Sequence, residues 1–172
     1  MPPRAIITGA AGLIGQYLVK SASRWAPDWQ VLGLTRDQLD LTARGAVTSV
    51  FRRHNPDLII HCAALSRTKD CERDRDRAKR INVGATVTLS DLARNIRFIF
   101  LSSGEVFDGA TGWYCESDEP NPINEYGRTK REAERVVLQT AAQTVVRIVL
   151  TAGTSEGANR SFVEDMSRAA RA

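Results

Sequence analysis

The stretch Thr8-Gly9-Ala10-Ala11-Gly12-Leu13-Ile14-Gly15 decides the fold, because its glycines follow an apolar strand at Arg4–Thr8 and open a helix over Leu13–Trp25. Glycine permits a tight turn and lets the backbone approach a pyrophosphate, while the helix N-terminus offers N–H groups to the anion. Gly15 lets the helix pack closely on the strand. A strand before the glycines and a helix after them predict a dinucleotide-binding turn rather than a purely structural one.

Strands alternate with helices along the rest of the chain. Further strands are predicted at 30–34, 57–62, 98–101 and 144–150, and further helices over 74–94, 122–142 and 159–170, with another that opens at Asp40-Leu41-Thr42. This alternation predicts an α/β fold, a doubly wound parallel sheet of the Rossmann type, as one domain over 1–172. Because ligands bind such sheets at the carboxyl ends of the strands, the functional residues should follow the strands.

Composition excludes several classes of protein. The chain has 172 residues, of which 42% are hydrophobic and 26% charged, with three cysteines and two histidines at wide spacings. These values argue against disorder, a disulfide-stapled miniprotein and a metal site. Neither a signal-peptide layout nor an apolar run that could span a bilayer occurs, so we expect a soluble, cytoplasmic protein with no membrane partner.

The formal charge of +4 raises the question of nucleic-acid binding. The basic residues of segment 67–80 alternate with acidic ones and lack interleaved aromatic residues. A nucleic-acid surface is usually an uncompensated basic stripe, so this segment is better interpreted as a solvated helix face and no nucleic-acid partner is expected. Salt-sensitive association with DNA or RNA would revive that hypothesis.

The residues after the second strand indicate which dinucleotide is bound. The chain reads Leu34-Thr35-Arg36-Asp37, with an arginine where an NAD site usually has an acidic residue. A guanidinium can pair with a 2′-phosphate, whose charge and geometry suit it. We therefore expect NADP(H) to be favoured over NAD(H), although Asp37 lies next to the arginine.

A catalytic set is predicted around the 122–142 helix. Tyr126 and Lys130 are four residues apart and so share a helix face, and Ser103 follows the 98–101 strand. A nearby ammonium favours phenolate, so we expect Lys130 to lower the tyrosine pKa from about 10 toward working pH. Tyr126 would then exchange a proton with a substrate oxygen that Ser103 also hydrogen-bonds.

The glycine spacing resembles that of the short-chain dehydrogenase/reductase superfamily. Within it, five segments occur in the order seen in dTDP-4-dehydrorhamnose reductases, and they cover essentially the whole chain: Gln38-Leu39-Asp40-Leu41-Thr42, Cys71-Glu72, Arg80-Ile81-Asn82-Val83, Val106-Phe107-Asp108-Gly109 and Pro120-Asn121-Pro122 with Tyr126-Gly127-Arg128-Thr129-Lys130. That family reduces a 4-keto group on a nucleotide-linked deoxysugar with NAD(P)H.

The resemblance also assigns residues. It implies a catalytic set of Ser103, Tyr126 and Lys130, and a cofactor site formed by Gly9, Gly12, Leu13, Ile14, Gly15, Thr35, Arg36, Asp40, Leu41, Ala63, Ala64, Asn82, Tyr126 and Lys130. Asp40-Leu41 would contact adenine, unless Asp40 only caps a helix, and Asn82 would shape the surroundings of the lysine. The superfamily also suggests a homodimer.

Two departures from the family keep alternatives open. The family usually has Thr-Asp-Tyr where this chain has Ser103-Gly104-Glu105, and Glu105 resembles the glutamate of sugar-nucleotide dehydratases. Gly104 cannot supply the acid that a dehydratase needs, and Glu105 can equally be a solvated loop carboxylate. The alternatives are a regulatory subunit resembling the methionine adenosyltransferase beta subunit, or another extended sugar-nucleotide epimerase or dehydratase.

Length is the last departure, because members of the resembled family are longer. They continue beyond a helix like 159–170 with another strand and a small substrate-binding lobe. We therefore expect these 172 residues to form the cofactor half, with the substrate lobe largely absent.

Overall fold

A single parallel sheet organises the protein, whose computed structural model describes residues 1–140 and 142–149. Its strands are β1 Arg4–Thr8, β2 Gln30–Leu34, β3 Leu58–His61, β4 Arg97–Ser103 and β5 Gln143–Ile148. They lie in the order β2-β1-β3-β4-β5, and every neighbouring pair is parallel. The chain thus moves outward from β1 to β2 and crosses back to β3, which makes the β1–β3 boundary the topological switch point.

Helices cover both faces of this sheet, as the doubly wound prediction requires. They are α1 Leu13–Trp25, α2 Arg44–His54, α3 Thr68–Arg73, α4 Arg75–Lys79, α5 Ala85–Leu92 and α6 Glu125–Val137, with a π-helical segment at Arg80–Gly84 between α4 and α5. Gly33 of β2 faces α1, since a methyl group there would lie 2.8 Å from a methyl carbon of Val19. Its neighbour Leu34 belongs to the core on the opposite face.

The apolar core lies between the sheet and the helices α2, α5 and α6. It consists of Ile6, Leu34, Leu39, Val47, Ile59, Leu89, Ala93, Phe98, Phe100, Ala133 and Val137, all buried. Alternate residues of the strands supply the sheet side of this cluster, as the period of two in a strand requires. Within the described ranges, no helix has the length and apolar character needed to cross a membrane.

The strand predictions are confirmed in number and order: β1 and β2 have the predicted ends, and the ends of the other three strands differ. β4 continues through Ser102 and Ser103, because both pair with β5 in the parallel register. Ser103 is therefore the last residue of a strand rather than the first residue after it. The end of the predicted fifth strand, Leu150, and the predicted helix over 159–170 lie outside the described residues.

Two predicted helices begin later than the sequence suggested. Asp40 does not open a helix: its Oδ1 accepts hydrogen bonds from the Thr42 N–H and hydroxyl, which forms a turn, and α2 begins at Arg44. The α6 helix spans Glu125–Val137 rather than 122–142, since Asn124 adopts an extended backbone and caps it. The start of α6 is set by the Asn124 side chain, which accepts the Gly127 N–H, whereas α2 begins after Ala43 without a side-chain cap hydrogen bond.

The predicted 74–94 helix is one continuous helical stretch with a π-helical segment in its middle. The bounds of the short helix α3 were not predicted, because its charged residues hide the apolar period and indicate only a helix face somewhere in 67–80. Along α3 and α4 the charges pair locally, with Asp70 2.8 Å from Arg73 and Glu72 3.0 Å from Arg75. That pairing agrees with a solvated helix face.

Candidate functional site

The strand register brings the predicted site residues to one edge of the sheet. Leu34, Thr8 and His61 lie in one row at the carboxyl ends of β2, β1 and β3. The glycine turn, Thr35 and the Ala63-Ala64 pair therefore leave the sheet side by side. β4 extends beyond this row, because His61 pairs with Phe100 and the strand runs on to Ser103.

The glycine turn passes directly over the exit of β3. Gly9 has φ +71°, and a methyl group on it would lie 2.7 Å from the Ala63 nitrogen, so only glycine fits. Gly12 donates its N–H to the Gly9 carbonyl at 2.9 Å and caps α1 without a side-chain hydrogen bond. The N–H groups of Leu13 and Ile14 have no partner within the helix. This turn fits a pyrophosphate, whose oxygens would accept those N–H groups.

The turn after β2 is held by its own side chains. Gln38 Oε1 accepts the Thr35 N–H at 2.9 Å, and Arg36 is exposed beside it. The hydrogen bond from the Thr42 N–H to Asp40 lowers the pKa of that carboxyl, and the charge of Arg36 acts in the same direction. Leu41 packs against the core. The exposed guanidinium fits a phosphate next to the glycine turn.

Ser103 and Tyr126 meet at the end of β4, as predicted. Tyr126 is the second residue of α6, and the neighbouring Ser103 hydroxyl acts to lower the pKa of its phenol. Burial and, after it, the nearby Glu105 carboxylate raise the pKa of Tyr126 to about 12. The expectation of a lowered tyrosine pKa is therefore wrong for this structure, because burial favours the neutral phenol and the Lys130 ammonium is directed at β4.

Lys130 lies one turn further along α6 with its ammonium directed at β4. Its Nζ donates to the Leu101 carbonyl at 2.5 Å and lies 4.0 Å from the centre of the Phe100 ring. Burial lowers the lysine pKa to about 7, although Glu134 opposes the shift. The side chain is 2% exposed, so the lysine is held in place from the sheet side.

Asn82 connects the loop after β3 to α6. Its Oδ1 accepts the Leu65 N–H at 2.8 Å, and its Nδ2 donates to the Leu65 carbonyl at 3.1 Å and to Thr129 Oγ1 at 2.9 Å. The side chain is buried within the π-helical segment, a feature that is frequent at functional sites. Asn82 thus fixes the Ala63–Leu65 strand exit relative to the residue that precedes Lys130.

Sequence reasoning missed the residue that orients the start of α6. Asn124 Oδ1 accepts the Gly127 N–H at 2.8 Å, and Asn124 Nδ2 donates to Glu105 Oε2 at 2.8 Å. An asparagine directly before a helix that carries an acidic first turn is a recognisable cap signal. The link to Glu105 is not recognisable, because the two residues lie on different elements.

All three cysteines are free thiols. The described part of the chain has no group of three or more histidine, cysteine or acidic side chains placed to hold a metal ion.

Comparisons with known proteins agree with this geometry. The family profile described as RmlD substrate binding domain matches residues 3–172. A dTDP-4-keto-6-deoxy-D-glucose reductase from Streptomyces niveus is 39% identical over 152 residues, which cover 86% of this chain and 52% of the relative. The methionine adenosyltransferase 2 subunit beta of Danio rerio is 34% identical over 168 residues, which cover 93% of this chain and 51% of the relative.

Among solved structures, the dTDP-4-dehydrorhamnose reductase from Bacillus anthracis in complex with NADP matches with a TM-score of 0.90 at 28% identity. The match covers 99% of this chain and 61% of that one. The chain spans about half the length of the curated relatives it matches.

Proposed function

Because the chain belongs to the RmlD substrate binding domain family, we propose that it is an NADP(H)-dependent reductase of a nucleotide-linked 4-keto-6-deoxysugar. The observation that carries the proposal is that the Ser103 hydroxyl and the Tyr126 phenol lie together at the carboxyl edge of the sheet, the edge that also carries the glycine turn. The name of the Streptomyces niveus relative supports the substrate class.

In this proposal Tyr126 donates a proton to the substrate oxygen, and Ser103 hydrogen-bonds the same oxygen. A phenol whose pKa is about 12 is protonated at neutral pH, which suits a proton donor. The nicotinamide cofactor, when bound, supplies the hydride. Lys130 supports the cofactor ribose from its fixed position on α6.

The proposed cofactor-binding residues lie at the same carboxyl edge of the sheet. Gly9, Gly12, Leu13 and Ile14 would hold the pyrophosphate, and Thr35, Arg36, Asp40 and Leu41 would surround the adenosine half. Ala63 and Ala64, held by Asn82, would line the nicotinamide half together with Tyr126 and Lys130. The uncapped start of α1 and the close approach of Gly9 to Ala63 support this arrangement.

Turnover tests the reductase proposal. With NADPH and dTDP-4-keto-6-deoxyglucose, we expect NADPH oxidation that falls by about 100-fold or more in Tyr126→Phe, because the proton donor is lost. Tyr17→Phe is the matched control and should keep the activity. If no nucleotide-linked 4-keto-6-deoxysugar is turned over, the reductase proposal is wrong.

Binding measurements test the choice of cofactor. Arg36→Ala should weaken NADPH binding by about tenfold or more and leave NADH binding nearly unchanged, because only the 2′-phosphate pairs with the guanidinium. Asp37→Asn, which alters the neighbouring charge, is the control and should not weaken NADPH binding. Equal losses for both dinucleotides in Arg36→Ala would contradict the preference for NADP(H).

The identity to the Danio rerio methionine adenosyltransferase subunit favours a second candidate, a cofactor-binding regulatory subunit. That function predicts tight NADPH binding without turnover and a stable complex with another protein. The same turnover assay, combined with size-exclusion chromatography of the chain with a methionine adenosyltransferase catalytic subunit, separates the two candidates.

A further inference from the structure

Glu105 connects three elements around the tyrosine. Its Oε2 accepts a hydrogen bond from Asn124 Nδ2 at 2.8 Å and a longer one from the Thr68 hydroxyl at 3.5 Å. Its N–H donates to Ser103 Oγ at 3.2 Å. Glu105 therefore joins α3 and the residue that caps α6 through its carboxylate, and the end of β4 through its backbone N–H.

The backbone of Glu105 also supports α6. A methyl group on Gly127 would collide with the Glu105 carbonyl oxygen, so the helix rests directly on this peptide. Gly127 follows Tyr126, and its N–H is capped by Asn124, whose other end contacts the Glu105 carboxylate. Main chain and side chain of one residue thus fix the turn that carries the phenol.

After burial, the Glu105 carboxylate is the largest influence on the pKa of Tyr126. Cys71 from α3 also faces the phenol, and burial raises the pKa of its thiol to about 11, so the thiol is uncharged at neutral pH. Other charged groups nearby are engaged with partners: Glu72 with Arg75, Glu125 with Arg75 and Arg128, and Lys130 with the Leu101 carbonyl.

We propose that Glu105 is a positioning residue for Tyr126, which orients the start of α6 through Asn124 and keeps the phenol protonated through its charge. The inference rests on the proposed function, since it assigns the protonated phenol to the donor role. It gives Glu105 a use that needs no elimination chemistry and no acidic group at Gly104.

The test is a titration of the tyrosines by NMR, with ¹³C label at the ring carbon that bears the hydroxyl. Tyr126→Phe assigns the signal of Tyr126. In the wild type we expect Tyr126 to stay a phenol up to about pH 11, above the ordinary tyrosine value of about 10. Glu105→Gln keeps an acceptor for Asn124 and removes the charge, so the Tyr126 midpoint should fall by about half a pH unit or more.

Asp28→Asn removes an equal charge between α1 and β2 and is the matched control, in which the midpoint should not move. An unchanged midpoint in folded Glu105→Gln overturns the proposal. If that variant does not fold, the wild-type titration still decides, because a Tyr126 midpoint at the ordinary tyrosine value of about 10 overturns the proposal too.

NADPH binding and turnover are measured on the same samples. If the wild type shows no turnover but the Tyr126 midpoint falls in Glu105→Gln, the reductase proposal is wrong and the effect of Glu105 on Tyr126 stands. If the wild type is active and the midpoint does not fall, only the proposed role of Glu105 is wrong.

Discussion

At the scale of single residues, the Gly127–Glu105 contact is the tightest packing constraint on the site. A methyl group at Gly127 would overlap the Glu105 carbonyl oxygen and lie 2.9 Å from the Pro122 side chain. We expect Gly127→Ala to lower the free energy of unfolding by about 1–3 kcal/mol, because backbone cannot yield as a flexible side chain can. It should also lower turnover, since the overlap displaces Tyr126.

Gly84 offers the matched control, because a methyl group there would meet open space. Gly84→Ala should leave activity unchanged and keep or slightly raise stability, as alanine does in helices. Urea unfolding of both variants, combined with the NADPH assay, measures the difference. Equal stabilities for the two variants would show that α6 does not rest on Glu105.

At the scale of elements, the π-helical segment matters because it carries Asn82. Asn82→Ala would leave the Leu65 N–H without its partner in a partly buried loop and the Leu65 carbonyl with only the Cys71 thiol as donor, which costs about 1–3 kcal/mol. We expect lower stability and faster hydrogen exchange of the Leu65 amide than in the wild type. Exposed Asn95→Ala is the control; an unchanged Leu65 exchange rate in Asn82→Ala would mean that the loop is held by other contacts.

The elements also show how far sequence reasoning reaches. Apolar runs locate the strands because helices cover both faces of the sheet. The apolar run at 57–62, for example, predicts β3 almost to its ends. Apolar runs do not predict that polar Ser102 and Ser103 belong to β4, since their strand pairing with β5 is a tertiary contact. The same holds for α3, whose charged residues mask its period.

For the site residues, too, the sequence predicts some properties and not others. Position after a strand and helical spacing are enough to bring Ser103 and Tyr126 together, because parallel strands end at one edge. The sign of the Tyr126 pKa shift is not accessible, because it depends on how deeply α6 packs and on a carboxylate from another element. Local pattern therefore predicts which groups meet, while burial decides their protonation.

At the scale of the whole molecule, a buried polar chain joins the sheet to the helices behind it. His61 Nδ1 lies 2.7 Å from the Thr8 hydroxyl, and Nε2 lies 3.2 Å from the Thr86 hydroxyl. Because Thr86 donates its own proton to the Asn82 carbonyl at 2.7 Å, the Nε2 atom is the donor and Nδ1 the acceptor. The contacts define a neutral imidazole that links β1, β3 and α5.

This neutral histidine makes the fold sensitive to acid. Burial, helped by the charge of Lys130, lowers the pKa of His61 to about 3. The unfolded chain takes up a proton below about pH 6.5 and the folded chain does not until about pH 3, so stability falls as the pH drops through that window. Between pH 7 and pH 5 we expect a loss of about 2 kcal/mol in the free energy of unfolding.

Urea unfolding at a series of pH values measures this loss, and two variants assign it. His61→Asn keeps a donor and an acceptor without a titrating ring, so most of the pH dependence should disappear whatever the variant's stability at pH 7. His54→Gln alters a histidine at the end of α2, outside the polar chain, and should retain the wild-type slope. If the free energy of unfolding depends on pH equally in the wild type and in His61→Asn, the acid sensitivity arises from a group other than His61.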